Sequence, residues 1–288
     1  MNKVFITATV DIPLGQLLDE HLSSRFDASV ILSSGGVWKD RKRIYDPQLI
    51  IQAKETIKVH TSTFQGKTYG LDRRDIMFEN DDFLVVYKPP DLNVHQVPSS
   101  FYYNLTYAVN QYLIQQGTAF QSTPLTRLDR PVEGLVIFSK NKNYERRLFD
   151  LIQRRKIHKW YMAALQKGND RACVRIRDTI TNNGNRTVWD ENGKHADSLF
   201  VKVNALDFTD IYSIFIFTGR RHQIRFHASQ YLSPIIGDWF YGSSLFLQKD
   251  EIALICRGCN IPYKKKMLRI RLPEDYIERF YERIRKIK

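Results

Sequence analysis

Four short apolar runs commit this chain to a sheet-containing fold: FLVVY (83–87) ahead of Pro89-Pro90, GLVIFS (134–139) after a polar loop, YMAAL (161–165) after a basic run, and IYSIFIF (211–217) ahead of Gly219. Runs of this length, rich in β-branched and aromatic residues and bounded by turn residues, read as strands. Helical patterns punctuate them at 103–116, 142–156 and 220–232. In the last, Ile224, Ala228 and Tyr231 would share one face while Arg221 and Arg225 share another. The closing PEDYIERFYERIRKIK begins acidic, ends basic and repeats apolar residues at Ile277, Phe280, Tyr281 and Ile284, which predicts a terminal helix. With no repeat at solenoid or propeller spacing, residues 71–288 should form a mixed α+β domain.

The first 70 residues carry a different pattern: an amphipathic stretch from Leu14 to Leu22, then SVILSSGGVWKDRKRI, then the alternating ETIKVH. A small domain with a short helix, turns and strands fits. Lys39, Arg41, Lys42 and Arg43 lie beside Trp38, just after Gly35-Gly36, and such a cluster suits phosphates and an unstacked base. FQGKTYGLDRRD (64–75) reads as a linker between the two domains.

Charge narrows the partner. Lys plus Arg total 44 against 31 Asp plus Glu, a net charge of +13 over 288 residues, which favours a polyanion such as nucleic acid. Hydrophobic residues at 43% and charged residues at 26% exclude wholesale disorder. No apolar run approaches a membrane span, the start lacks a signal-peptide pattern, and the three cysteines are too few for a disulfide framework. A soluble, cytoplasmic protein is expected, and a monomer.

Two segments could carry chemistry. TRLDRPVEG (126–134) sets Asp129 between Arg127 and Arg130, cations that would favour an ionised carboxylate if they face it. Taken alone, a turn-forming or salt-bridged surface aspartate is the favoured reading, because loop aspartates are common. TGRRHQIRFH (218–227) offers a helix N-terminus and an Arg clamp for a carboxylate or phosphate. His222 and His227 are five apart, without the spacing or the Glu of a zinc helix, and Cys256-Arg-Gly-Cys259 is a single pair. Neither a metal nor a nucleotide cofactor is expected.

Four segments in order resemble the RluA-type pseudouridine synthases: DFLVVYKPPDLNVH (82–95), TRLDRPVEGLVIFSKN (126–141), IHKWYMAAL (157–165) and TGRRHQIRFHASQYLSPIIGDWFYG (218–242). The resemblance implies an RNA uridine isomerase with no cofactor. Its fold would be a mixed, mostly antiparallel sheet with a central cleft and flanking helices. Asp129 matches the essential aspartate that attacks the ribose or takes a proton from it. Tyr161 matches the tyrosine that stacks on uracil, and Arg225 the arginine that pairs with the aspartate. Arg127 would face the RNA or help empty the base's place in the stack, and Lys88 would structure a loop. Ribosomal RNA is the favoured substrate, with transfer RNA open. The N-terminal segment resembles the small α-L RNA-binding domain of the ribosomal S-four type, and Trp38, Lys39, Arg41, Lys42 and Arg43 would be its RNA contacts.

Arg221 stands where many members have threonine, though others carry a basic residue, and three further positions depart from the family: Thr126 replaces a histidine, and Val132-Glu133 replace Thr-Ser, adding a carboxylate near Asp129. They support a rival reading, a catalytically inactive RNA-binding or ribosome-assembly protein that keeps the synthase fold. A hydrolase or glycosidase is disfavoured because no paired catalytic carboxylate is evident.

Overall fold

A computed structural model of the chain describes residues 3–22, 26–61, 68–98, 101–118, 120–168, 170–248 and 251–287. Two compact units emerge, one of Met1–Leu71 with Asn93–Ala119 and one of Asp72–Leu92 with Phe120–Lys288.

The first unit runs β1 (Lys3–Thr7), β2 (Ile12–Pro13), α1 (Leu14–His21), α2 (Ala28–Ser33), β3 (Val37–Lys39), β4 (Lys42–Arg43), β5 (Ile50–Ile51) and β6 (Thr56–His60). A four-stranded sheet has the order β1-β6-β3-β4, and β2 pairs with β5. Pro13, which has no N–H to leave unpaired, precedes α1, and Leu14, Leu17 and Leu18 point from that helix into a core with Ile31, Val37 and Ile57. Asp27 caps α2 by accepting from the amides of Ser29 (2.9 Å) and Val30 (3.1 Å). The β3–β4 hairpin turns on Asp40 and Arg41, both left-handed at φ 47° and 66°, as a two-residue hairpin turn of this hand requires. Residues 93–118 join this unit through backbone contacts: the amide of Phe101 donates to the Ser34 carbonyl (2.7 Å), and the Trp38 indole donates to the Pro98 carbonyl (2.8 Å). Their helix, α3 (Leu105–Gln115), is capped by Asn104 and buries Leu105, Ala108, Val109 and Leu113. Of the linker read at 64–75, residues 64–67 lie outside the described residues; Arg73–Asp75 form a 3-10 turn that enters the second unit directly.

The second unit contains β7 (Ile76–Glu79), β8 (Phe83–Lys88), β9 (Glu133–Ser139), α4 (Lys142–Gln153), β10 (His158–Gln166), β11 (Cys173–Asn183), β12 (Arg186–Trp189), β13 (Lys194–Ala205), β14 (Thr209–Ile216), α5 (Gln223–Tyr231), β15 (Leu254–Tyr263), β16 (Lys266–Arg271) and α6 (Glu274–Arg285). One sheet has the order β12-β11-β13-β14-β10-β15-β9-β8-β7, with β16 added on β15. All pairings are antiparallel except β9 with β15. The four apolar runs of the sequence are β8, β9, β10 and β14, the middle of this sheet. Every residue of β8 and β9 is buried, which is why their sequences are continuous apolar runs rather than alternations. Strands β11, β12, β13 and β16 bury only some positions and carry many polar residues, so their sequences lack that signal.

β15 organises the active face, because it borders β10 on one side and β9 and β16 on the other. The parallel contact is close: Gly134 has φ 118°, and a Cβ there would stand 2.3 Å from the Cys256 carbonyl oxygen. The helix over 220–232 starts later than the periodicity predicts, because His222 is left-handed (φ 51°) and α5 begins at Gln223. Arg221 therefore precedes the helix and shares no helical face with Arg225. Among the described residues no helix is long and apolar enough to cross a membrane.

Candidate active site

The loop carrying Asp129 is held from two directions. On one side, the Leu125 amide donates to the Ile137 carbonyl (2.8 Å), and the Thr126 hydroxyl accepts from the Ile137 amide (3.1 Å), fastening the loop along β9. Thr126 thus has a structural task of its own. On the other side, Lys88 is fully buried at the end of β8 and donates to the carbonyls of Pro89 (2.7 Å), Leu92 (2.8 Å) and Arg130 (3.0 Å). Burial pushes its ammonium down to about 7, while the nearby carboxylates Glu133, Asp129 and Asp91 oppose the shift. Lys88 ties the two loops together, as expected of a loop-structuring residue.

The cation that meets Asp129 is neither of its sequence neighbours. Arg130 donates to Asp91 through Nε (2.7 Å), and Arg127 is exposed on the cleft wall. Instead, Arg225 of α5 donates from Nη1 to Asp129 Oδ2 at 3.2 Å. Its fork is bidentate toward a different carboxylate, Asp238: Nε to Oδ2 at 2.7 Å and Nη2 to Oδ1 at 2.8 Å. Arg225 is 6% exposed and Asp238 1%, so the pair is buried. Burial alone would lower the guanidinium's pKa, but the Asp238 and Asp129 carboxylates carry it well above the ordinary value. Two contacts aim the guanidinium and the third meets Asp129.

His222 flanks the same carboxylate, with Nε2 3.6 Å from Asp129 Oδ2 and Nδ1 2.9 Å from the Tyr241 hydroxyl. Tyr241 Oη also accepts from the Thr187 amide (2.9 Å), which fixes the phenol beside the imidazole. Burial pushes His222 down to about 4, so it is neutral at pH 7. Tyr161 sits in β10 at a bulge opposite β15 and lines the cleft. Burial, with the Cys256 thiol and Asp129 nearby, keeps its hydroxyl protonated.

Together Asp129, Tyr161 and Arg225 line one cleft of about 560 Å³, with Val132, Ile224 and Leu254 as its apolar wall. Arg127, Arg155, Lys159, Arg220 and Arg221 frame it with positive charge. Arg221 is partly spent on structure, since its Nη1 and Nη2 donate to the carbonyls of Gly184 and Asn185 at 3.0 Å each.

Glu133 stands beside the loop but does not address Asp129. It is buried, accepts from Tyr87 Oη at 2.5 Å, and is ion-paired with Arg283 of α6. Its added charge is therefore neutralised away from the cleft, and Val132 supplies part of the cleft's apolar wall. Neither departure removes an active-site group, so the inactive-protein reading loses the features that favoured it.

In the first unit, the basic cluster divides. Arg43 lies 4.5 Å from the Trp38 ring and donates to the carbonyls of Gly35 and Val97, which makes it a turn anchor. Lys39 pairs with Glu55 at 2.6 Å. Arg41 and Lys42 project from the hairpin and are exposed. Lys58, which sequence reasoning passed over, sits 5.2 Å from the Trp38 ring. In the second unit the overlooked residues are Asp238 and Tyr241, while sequence reasoning weighs His222 only as a metal ligand. Asp238 had a local signal: it follows Gly237, whose φ is 82° and where a Cβ would stand 2.3 Å from the Glu251 carbonyl oxygen, the marks of a tight, specified turn.

The RNA pseudouridylate synthase family matches residues 82–230, slightly more than half the chain. An uncharacterised RNA pseudouridine synthase of Helicobacter pylori strain J99 is 26% identical over 300 residues, covering 96% of this chain and 92% of that protein. A ribosomal large subunit pseudouridine synthase D of Yersinia pestis is 26% identical, covering 89% of this chain and 83% of that one. The solved structure of human RNA pseudouridylate synthase domain containing 4 superposes with a TM-score of 0.61 at 19% identity, covering 75% of this chain and 94% of that one. The sheet, the ordered segments and the family match converge: this chain belongs to the RNA pseudouridylate synthase family and is an RNA pseudouridine synthase, an isomerase.

Proposed function

We propose that Asp129 acts on the ribose of a uridine held in this cleft, as nucleophile or as base, so that the bond from N1 to C1′ breaks and C5 bonds to C1′ in its place. The hydrogen of C5 leaves to water and N1 gains a proton, so nothing is oxidised or reduced. The observation that carries this reading is the Asp129 carboxylate, held 3.2 Å from a buried guanidinium that Asp238 has already aimed. The ion pair holds the carboxylate in one orientation, as either role demands. Tyr161 provides a ring for the extruded base to stack on, and Arg127 is an exposed cation of the cleft wall. The neutral His222 adds a polar wall beside Asp129 without adding a charge.

The RNA we favour is ribosomal, because relatives covering most of this chain are large-subunit synthases by name. The first unit, with Arg41, Lys42 and the Trp38 platform, would supply phosphate and base contacts as a small RNA-binding domain. Three unpaired cysteines suit a reducing compartment, the cytoplasm. The test is tritium release from cellular RNA labelled at C5 of uridine, taken from a host lacking this protein. Wild type should release tritium, and Asp129→Asn should release at least about a thousandfold less while binding the same RNA. Normal turnover by Asp129→Asn would sink the assignment.

A further inference from the structure

We propose that the lip formed by Trp239 and Phe240 is a stacking subsite for a nucleobase of the RNA that adjoins the target uridine; this rests on the cleft around Asp129 being where the uridine reacts. Asp238, fixed by the Arg225 fork, starts a 3-10 turn over Trp239–Tyr241 that Gly242 ends at φ 96°. The turn thus inherits its place from the active site. Phe240 stands edge-on to His222 at 6.1 Å between ring centroids, and His222 touches Asp129. Trp239 stands edge-on to Phe240 at 5.6 Å and is 63% exposed, which leaves most of the indole in water two rings from the carboxylate.

Single exposed apolar side chains are ordinary on a protein surface. Charge sets this one apart. The Arg186 guanidinium lies 4.7 Å from the Phe240 centroid and is itself exposed, and Arg225 lies 5.9 Å from the same ring. An aromatic face with guanidinium beside it suits a nucleobase followed by its phosphate, and Phe240 adjoins the cleft through its contact with the cleft residue His222. Trp189 supplies an internal contrast: it is 60% exposed, but the residues after it are Asp190 and Glu191. A phosphate-bearing ligand would avoid that neighbourhood.

The test titrates a fluorescein-labelled oligouridylate, and an abasic ribose-phosphate oligomer of the same length, against wild type, Trp239→Ala, Trp239→Phe and Trp189→Ala. Stacking predicts that Trp239→Ala loses roughly five- to hundredfold in affinity for the oligouridylate and nothing for the abasic oligomer. Trp239→Phe should keep most of the affinity, and Trp189→Ala all of it. Equal losses for both oligomers, or no loss for either, would overturn the subsite; no loss for either would leave the lip to a protein partner. The catalytic assignment fails separately, through turnover by Asp129→Asn, and that result would leave the binding pattern untouched.

Discussion

Arg225 is the residue on which the cleft turns, because it satisfies two carboxylates at once. Its bidentate partner is Asp238, at 1% exposure, and only one donor reaches Asp129. Removing the guanidinium would leave Asp238 charged, buried and unpaired. Arg225→Ala should therefore lower unfolding free energy by about 3–5 kcal/mol in urea titrations, beyond any loss of turnover. A stability change below about 1 kcal/mol would show that Asp238 finds another partner. Two largely buried histidines set a pH limit. Burial lowers both His222 and His227 from 6.5 to about 4, so the unfolded chain binds more protons than the folded one between those values. Their contribution is complete above pH 6.5 and is lost as pH falls toward 4. At pH 5 each should have cost the fold on the order of 2 kcal/mol, read as a falling urea midpoint, and His227→Gln should flatten that fall. A midpoint that stays level from pH 7 to pH 5 would contradict the burial of both imidazoles.

Among elements, α6 has a task that its amphipathic sequence does not disclose. Its apolar stripe buries Tyr276, Ile277, Phe280 and Ile284, and from its partly exposed side Arg283 reaches back to Glu133 at the start of β9. That contact neutralises the carboxylate that replaces the family's serine, directly behind the Asp129 loop. Arg283→Ala should destabilise the fold by about 1–3 kcal/mol, less than a fully buried pair because Arg283 is 28% exposed. Glu133→Gln in the same chain should restore most of the loss, since the uncompensated charge goes with it. Thermal unfolding of the two single variants and the double variant measures the coupling, and simple additivity would mean the two side chains do not interact. The start of α5 teaches a similar lesson. Periodicity extends the helix over Arg220 and Arg221, but the left-handed His222 delays its start to Gln223, and Arg221, left outside it, donates to the carbonyls of Gly184 and Asn185.

At the scale of the molecule, a net charge of +13 becomes informative only once its cations are sorted by what they already bind. Arg43, Lys39, Lys88 and Arg221 are engaged within the protein, whereas Arg41 and Lys42 are exposed on a hairpin tip. Arg41→Ala with Lys42→Ala should weaken RNA binding and reduce the slope of log K against log salt by about 1.5. Lys39→Ala should change that slope less, because Glu55 already shares its charge. An unchanged slope in the double variant would move the phosphate contacts elsewhere in the chain.

The amino-acid sequence by itself determined the basic character, the four central strands and the terminal helix, and its family resemblance named Asp129, Tyr161 and Arg225 as candidates. These are legible because a buried strand is written as a local apolar run and a reactive residue as a short segment in fixed order. The tertiary structure alone decided how the charges are shared: the resemblance paired Arg225 with Asp129, but it left open that one donor makes that contact while the fork goes to Asp238. Asp129 and Arg225 are 96 residues apart, and Arg283 and Glu133 are 150 apart. No local pattern encodes that Asp238 takes the arginine's fork, that Glu133 turns away from the cleft, or that residues 93–118 pack with the N-terminal unit. The charge pairings follow from the demand that every buried charge find a partner, and the placing of residues 93–118 from backbone groups that meet Ser34 and Trp38, conditions that exist only after the chain has closed on itself.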